Sequence, residues 1–188
     1  MMASKVLTLP ALKSLGQLAE ARPVIAIDTR EQLPLGPFTR LQTVRGTLNA
    51  GDYSVAGLEH LFSVERKSIP DLAGCITGSN RDRFERELWR LQPYEFRRLL
   101  IIGASDDSGI LNFPYQSRIN PRAVLASLYA WQARFGIPFV LAPSPAVGAR
   151  LVELWAIYWA REKCHEANGL LRGYWRSAKA RVPAVGIY

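Results

Sequence analysis

The chain has 188 residues with a formal net charge of +8, an excess that favours polyanionic partners, nucleic acid above all. Hydrophobic residues make up 48% and no segment is low-complexity, so the bulk is globular rather than disordered. No apolar run approaches a membrane span, no signal-peptide core is present, and two distant cysteines, Cys75 and Cys164, argue against a disulfide framework or a zinc site.

These features predict an intracellular, cytoplasmic protein. After an N-terminal segment, residues 1–22, the stretch "PVIAIDTRE" is a β-branched run ending at Asp28, a buried strand. "TRLQTVRGTL" reads as extended, Asn49 and Gly51 as a turn, and Tyr53 to Val55 as a returning strand. "HLFSVERK" is the next strand, and four strands so close together predict a meander with antiparallel pairs. A short helix follows from Asp71. A longer one over "NRDRFERELWRLQPY" places Phe84, Leu88 and Leu91 on one face, with Asp82–Arg86 and Arg83–Glu87 able to pair across turns. "RRLLIIGA" is a strand, and "NPRAVLASLYAWQARFG" a helix with an Asn cap, Pro121 in its first turn and Gly136 at its end. "IPFVLAP" and "SPAVGARLVELWAIYWAREK" repeat the strand–helix pattern. Such alternation implies parallel crossovers and a sheet covered on both faces. The body of the domain is expected over residues 23–165. Residues 166–188 form a basic, aromatic, Gly/Pro-punctuated peripheral tail.

The octapeptide "VERKSIPD", Val64 to Asp71, drives an apolar strand into three consecutive charges. Alternate strand residues share a face, so Glu65 and Lys67 point together while Arg66 points with Val64 to the other side. A carboxylate beside an ammonium on a rigid strand suits a metal ligand next to a charge-stabilising lysine. Asp52 arrives from the Gly51–Asp52 turn, Asp28 closes another strand, and Glu31 lies three residues on. Each alone reads as an ordinary strand end or turn. Together they place several acids at one sheet edge, where they would repel one another unless a cation joined them. Mg²⁺ suits such a cluster, with Mn²⁺ an alternative, because it takes few carboxylates and shares oxygens with phosphate.

Gly51-Asp52, Glu65-Arg66-Lys67 and Asp71, with "IDTRE" upstream (Ile27 to Glu31), resemble the Gly-Asp…Glu-Arg-Lys…Asp signature of the XPF/Hef-type structure-specific endonucleases. The resemblance spans Val24 to Lys163. It implies an α/β, restriction-endonuclease-like fold, with a central mixed β-sheet flanked by helices, and metal-dependent cleavage of DNA in branched, flap or junction form. By motif position, Asp52 and Glu65 would bind metal with Asp28 assisting, and Lys67 would act on water or phosphate. Arg66 and Asp71 complete the catalytic pattern. Arg30 and Arg83 are candidates for the DNA backbone. Cys75 and Glu87 depart from the family's usual Ser and Gln. Few residues follow the last helix, so a stand-alone domain is expected, without the family's tandem helix-hairpin-helix module. A non-catalytic DNA-binding or scaffolding subunit is the alternative, and a targeting protein could supply specificity.

Two further expectations concern surfaces. Arg172, Arg176 and Lys179, interleaved with Tyr174 and Trp175, could add nonspecific DNA affinity or be a solvated end. The last helix, from Ala146 to Tyr158, is apolar over more than one stripe and needs a second cover. A homodimer supplies it; the apolar segment Val6 to Leu18 folding back is the alternative.

Overall fold

The computed structural model describes residues 22–116 and 119–180, without the side chains of 171–172 and 174–180. Residues Pro23–Ala160 form one compact unit, and those from Arg161 onward belong to a second. The first unit is built on a six-stranded sheet: β1 (Ile25–Asp28), β2 (Thr43–Gly46), β3 (Tyr53–Val55), β4 (Phe62–Ser68), β5 (Phe96–Ile102) and β6 (Phe139–Ala142). The spatial order is β2-β1-β3-β4-β5-β6. Pairs β1–β3 and β3–β4 are antiparallel; β1–β2, β4–β5 and β5–β6 are parallel.

The first four strands are therefore not a meander. Residues 29–42 make a connection long enough for a parallel return, so β2 lies beside β1 in the same direction. β3 then pairs with the other edge of β1. Close spacing in sequence does not distinguish these topologies.

Helices cover both faces, and the mixed sheet between them is the expected restriction-endonuclease-like fold. One face carries α1 (Ile69–Gly74), α2 (Gly78–Leu91), the short α3 (Asp107–Leu111) and α4 (Pro121–Phe135). The other meets the first part of α5 (Pro145–Ala180). Strand β5 shows why two layers form: Leu99 and Ile101 enter the first core, and Leu100 and Ile102 the second. Its alternating side chains are apolar on both sides, so neither face can be left to water.

Local chemistry sets the helix ends. The Ser68 hydroxyl accepts from the Asp71 amide and starts α1, with Pro70 in its first turn. Asn120 caps α4 in the same way, and Gly136, at φ 63°, terminates it. α5 runs well past the expected end near Lys163. Gly169 and Gly173 each weaken a helix by only ~1 kcal/mol relative to alanine, and no proline intervenes before Pro183. No described helix is long and apolar enough to cross a membrane.

Candidate active site

The sheet delivers the charged residues from three adjacent strands. β1 ends at Asp28, β3 is entered through Gly51-Asp52, and β4 carries Glu65 and Lys67 on its α2 side. They line a cleft of about 300 Å³, together with Arg30, Asn49, Glu87 and Arg90. The turn before β3 demands glycine. Gly51 has φ 76°, and a Cβ there would strike Ser63 Oγ and sit 3.0 Å from the Val64 carbonyl. That close approach lets the Asp52 amide donate to Val64 O at 2.8 Å, which fixes Asp52 against β4.

Asp52 and Glu65 sit side by side in a low-dielectric wall. The Arg66 amide donates to Asp52 Oδ2 at 2.7 Å, and Lys67 Nζ donates to Glu65 Oε1 at 2.8 Å. Burial first, then the neighbouring Glu65 charge, push Asp52 up to about 8, against the Arg66 amide. Burial also raises Glu65, with Lys67 offsetting part of it. Two such carboxylates resist ionising together, and a cation between them would relieve both burial and repulsion. Each has one oxygen that makes no hydrogen bond among the described residues, so the donor set fits a hard divalent ion.

Lys67 is held from two sides. Glu65 binds it at 2.8 Å and Glu87, from α2, at 3.4 Å, while its ammonium lies 5.0 Å from the Phe84 ring centroid. Burial works against its charge, but the two carboxylates outweigh it and hold the ammonium above its ordinary value.

Asp28 is differently placed from the other two acids. Oδ1 accepts from the Arg30 amide at 2.7 Å and Arg30 Nε at 2.8 Å; Oδ2 accepts from Arg30 Nη2 at 2.9 Å and the Leu48 amide at 2.8 Å. These bonds, the Arg30 side chain foremost, hold its carboxyl at about 2. Its acceptor positions are occupied, and among the described residues no three acids, histidines or cysteines are grouped to hold an ion.

Arg66 points away from Glu65, as strand alternation requires. Its guanidinium grips Glu31 at 3.0 and 2.9 Å, and Glu31 in turn accepts from the Leu33 amide at 2.8 Å. Asp71 lies in an adjoining groove, not in the cleft, and shares a hydrogen bond of 2.7 Å with Ser68. Arg83 borders that groove, 4.0 Å from Glu87. Arg30 is clamped to Asp28 and to Leu48 O. Arg172, Arg176 and Lys179 fall within α5, their side chains outside the described residues.

Arg90 is a cleft residue outside the family signature, and Glu87, which stands where the family usually has Gln, joins it there. With Asn80 and Arg83 they form a stripe at i, i+3, i+7 and i+10 along α2. That spacing is the signal that they share a face, though a sequence alone does not say what the face meets.

Residues 27–154 match the model of the ERCC4 domain. Among solved structures, XPF from Aeropyrum pernix matches with a TM-score of 0.55 and 25% identity, over 71% of this chain and 60% of that one. A second structure, XPF from Aeropyrum pernix in complex with DNA, gives a TM-score of 0.54 and 24% identity over 72% and 64%, a likeness of fold. This chain thus spans less than two thirds of either structure. No curated protein matches it.

Proposed function

The chain belongs to the ERCC4 domain family, and from that premise we propose that it is a divalent-metal-dependent DNA endonuclease. The substrate class is branched, flap or junction DNA. The carrying observation is the Glu65–Lys67 pair at 2.8 Å, set beside a half-buried Asp52 in an open cleft. The DNA complex of a similar fold supports nucleic acid as the ligand, as does the net charge of +8.

Asp52 and Glu65 would hold Mg²⁺ or Mn²⁺. Such an ion supplies a Lewis acid that acidifies water and neutralises phosphate charge. Hydrolysis joins the water oxygen to phosphorus and breaks one P–O ester bond. Lys67 presents a fixed ammonium to the phosphoryl oxygens as their charge grows, and Glu65 and Glu87 keep it from swinging away. The Arg66 guanidinium acts at a distance: by tying Glu31 to β4 it braces the loop after β1, while its amide orients Asp52. Asp28 anchors Arg30 at the rim, where an exposed guanidinium can meet a phosphate. Asp71 serves the start of α1. Arg83 lies along the approach, and Arg172, Arg176 and Lys179 add nonspecific attraction.

The test is cleavage of labelled flap, junction and duplex DNA with Mg²⁺ and with chelator. The wild type cuts only with metal. Asp52→Asn and Glu65→Gln keep the circular-dichroism spectrum and DNA binding but lose cleavage to background. Full activity in either variant would remove these residues from the reaction. A wild type that binds DNA and cuts none of the three would leave the scaffolding role instead.

A further inference from the structure

Helix α2 presents four different faces. Phe84, Leu88 and Leu91 are buried in the core. Arg81 and Glu85 turn toward α4, where Glu85 accepts from Trp131 at 3.0 Å and Arg134 at 2.6 Å and pairs with Arg81 at 3.0 Å. Arg83, Glu87 and Arg90 border the cleft and its adjoining groove. The fourth face holds Asp82, Arg86 and Trp89, all exposed, and Trp89 is 64% exposed. Tryptophan has the largest apolar side chain and is seldom left so open.

One exposed hydrophobic residue is ordinary on a protein surface. Its company here is not. Arg86 lies one turn before Trp89, and Arg90 follows both. At about 100° per residue the order around the helix is cleft, Arg90, Arg86, Asp82, Trp89. Among the described residues neither Arg86 nor Arg90 has an acidic partner. Asp82, four residues before Arg86, does not reach it; Glu85 and Glu87 are engaged elsewhere. A path carrying two arginines against one exposed acid, Asp82, therefore leads from the cleft wall to an open indole, with a net positive charge.

We infer that Trp89, with Arg86 and Arg90, binds unpaired nucleotides of a DNA strand leaving the cleft. The two guanidiniums meet phosphates, and the indole stacks on a base. Only an unpaired base offers a free face to stack on, so the chemistry favours single-stranded over duplex DNA. The inference rests on the nuclease reading of the cleft and assigns the neighbouring surface that would favour a substrate with an unpaired arm.

Binding is measured with chelator present, so cleavage does not interfere. The probes are a short fluorescein-labelled oligothymidylate and a labelled duplex of equal length, read by anisotropy. Trp89→Ala lowers the preference for oligothymidylate over duplex about tenfold, and Trp89→Phe restores most of it. Replacing Arg86 and Arg90 together by Ala reduces the salt slope on oligothymidylate by about 1.4, the value for two phosphates. Equal binding of oligothymidylate by wild type and Trp89→Ala overturns the inference. So does an equal loss on both probes, or a change in sedimentation that marks the patch as a protein interface. Failure of the wild type to cut DNA in Mg²⁺ is a separate result, which would defeat the nuclease reading while a Trp89-dependent preference stood.

Discussion

Lys67 and Asp28 show how differently two charges at strand ends can be employed. Lys67 is one of 24 basic residues, so it supplies little of the long-range attraction for DNA. Its ammonium is nevertheless fixed 2.8 Å from Glu65, where charge would develop. Lys67→Ala is expected to lower turnover about 100-fold with DNA affinity within about twofold; equal losses in single-turnover rate and affinity would make Lys67 a plain phosphate anchor. Asp28 contributes to the fold. Its carboxyl is held at about 2, below the ordinary 3.8. A carboxyl depressed in this way stabilises the native state above its unfolded value, and the gain fades as pH falls from about 4 through about 2. Arg30 is exposed, so solvent screens the pair and the gain at neutral pH is on the order of 1 kcal/mol. Asp28→Asn should therefore lower the urea midpoint at pH 7 and have little effect near pH 2. An equal shift at both would trace the loss to packing instead.

Glu153 ties two elements together and has no counterpart in the motif. It lies on α5, only 1% exposed, and its Oε1 accepts from the amides of Arg40 and Leu41 at 2.7 and 3.1 Å. Those amides belong to the segment that brings β2 alongside β1. Glu153→Ala leaves both without their acceptor and should cost about 2–4 kcal/mol in urea unfolding. Glu153→Gln keeps an acceptor oxygen and should lose less; equal losses would point to charge rather than hydrogen bonding. Such contacts mark the limit of what the sequence discloses. Strand and helix positions are legible because alternation and caps are local: Tyr53–Val55, Asn120 and Gly136 all stand as read. The juxtaposition of Glu65 and Lys67 is legible for the same reason, being a consequence of strand period. The parallel return of β2 is not, since pairing direction depends on a long connection. Nor is the saturation of Asp28, whose fourth hydrogen bond comes from Leu48, twenty residues away. Glu87 reaches Lys67 only because α2 crosses over β4, a packing fact without a sequence motif. The helix beyond Lys163 is not legible either, since Gly169 and Gly173 have the local chemistry of breaks.

At the scale of the whole molecule, α5 raises the question of a second copy. Ala149, Val152 and Ala156 are buried against the sheet, one stripe of the helix. Leu151, Leu154, Trp155 and Ile157 remain only half covered, while Val147 is 39% and Tyr158 61% exposed. An apolar surface wider than the sheet can cover calls for another partner. The segment Val6 to Leu18 lies outside the described residues. We propose a homodimer through Ala146–Tyr158, because a two-fold axis lets the same patch serve both subunits. Trp155 packs 6.0 Å from the Phe96 ring, so replacing it would disturb the core as well as the surface. Tyr158 is the cleaner probe. Sedimentation should give a species of twice 21.0 kDa for the wild type, and Tyr158→Glu should give folded monomers with an unchanged circular-dichroism spectrum. A wild type that stays monomeric at high concentration, with residues 6–18 protected from protease, would assign the cover to the chain's own N-terminal segment.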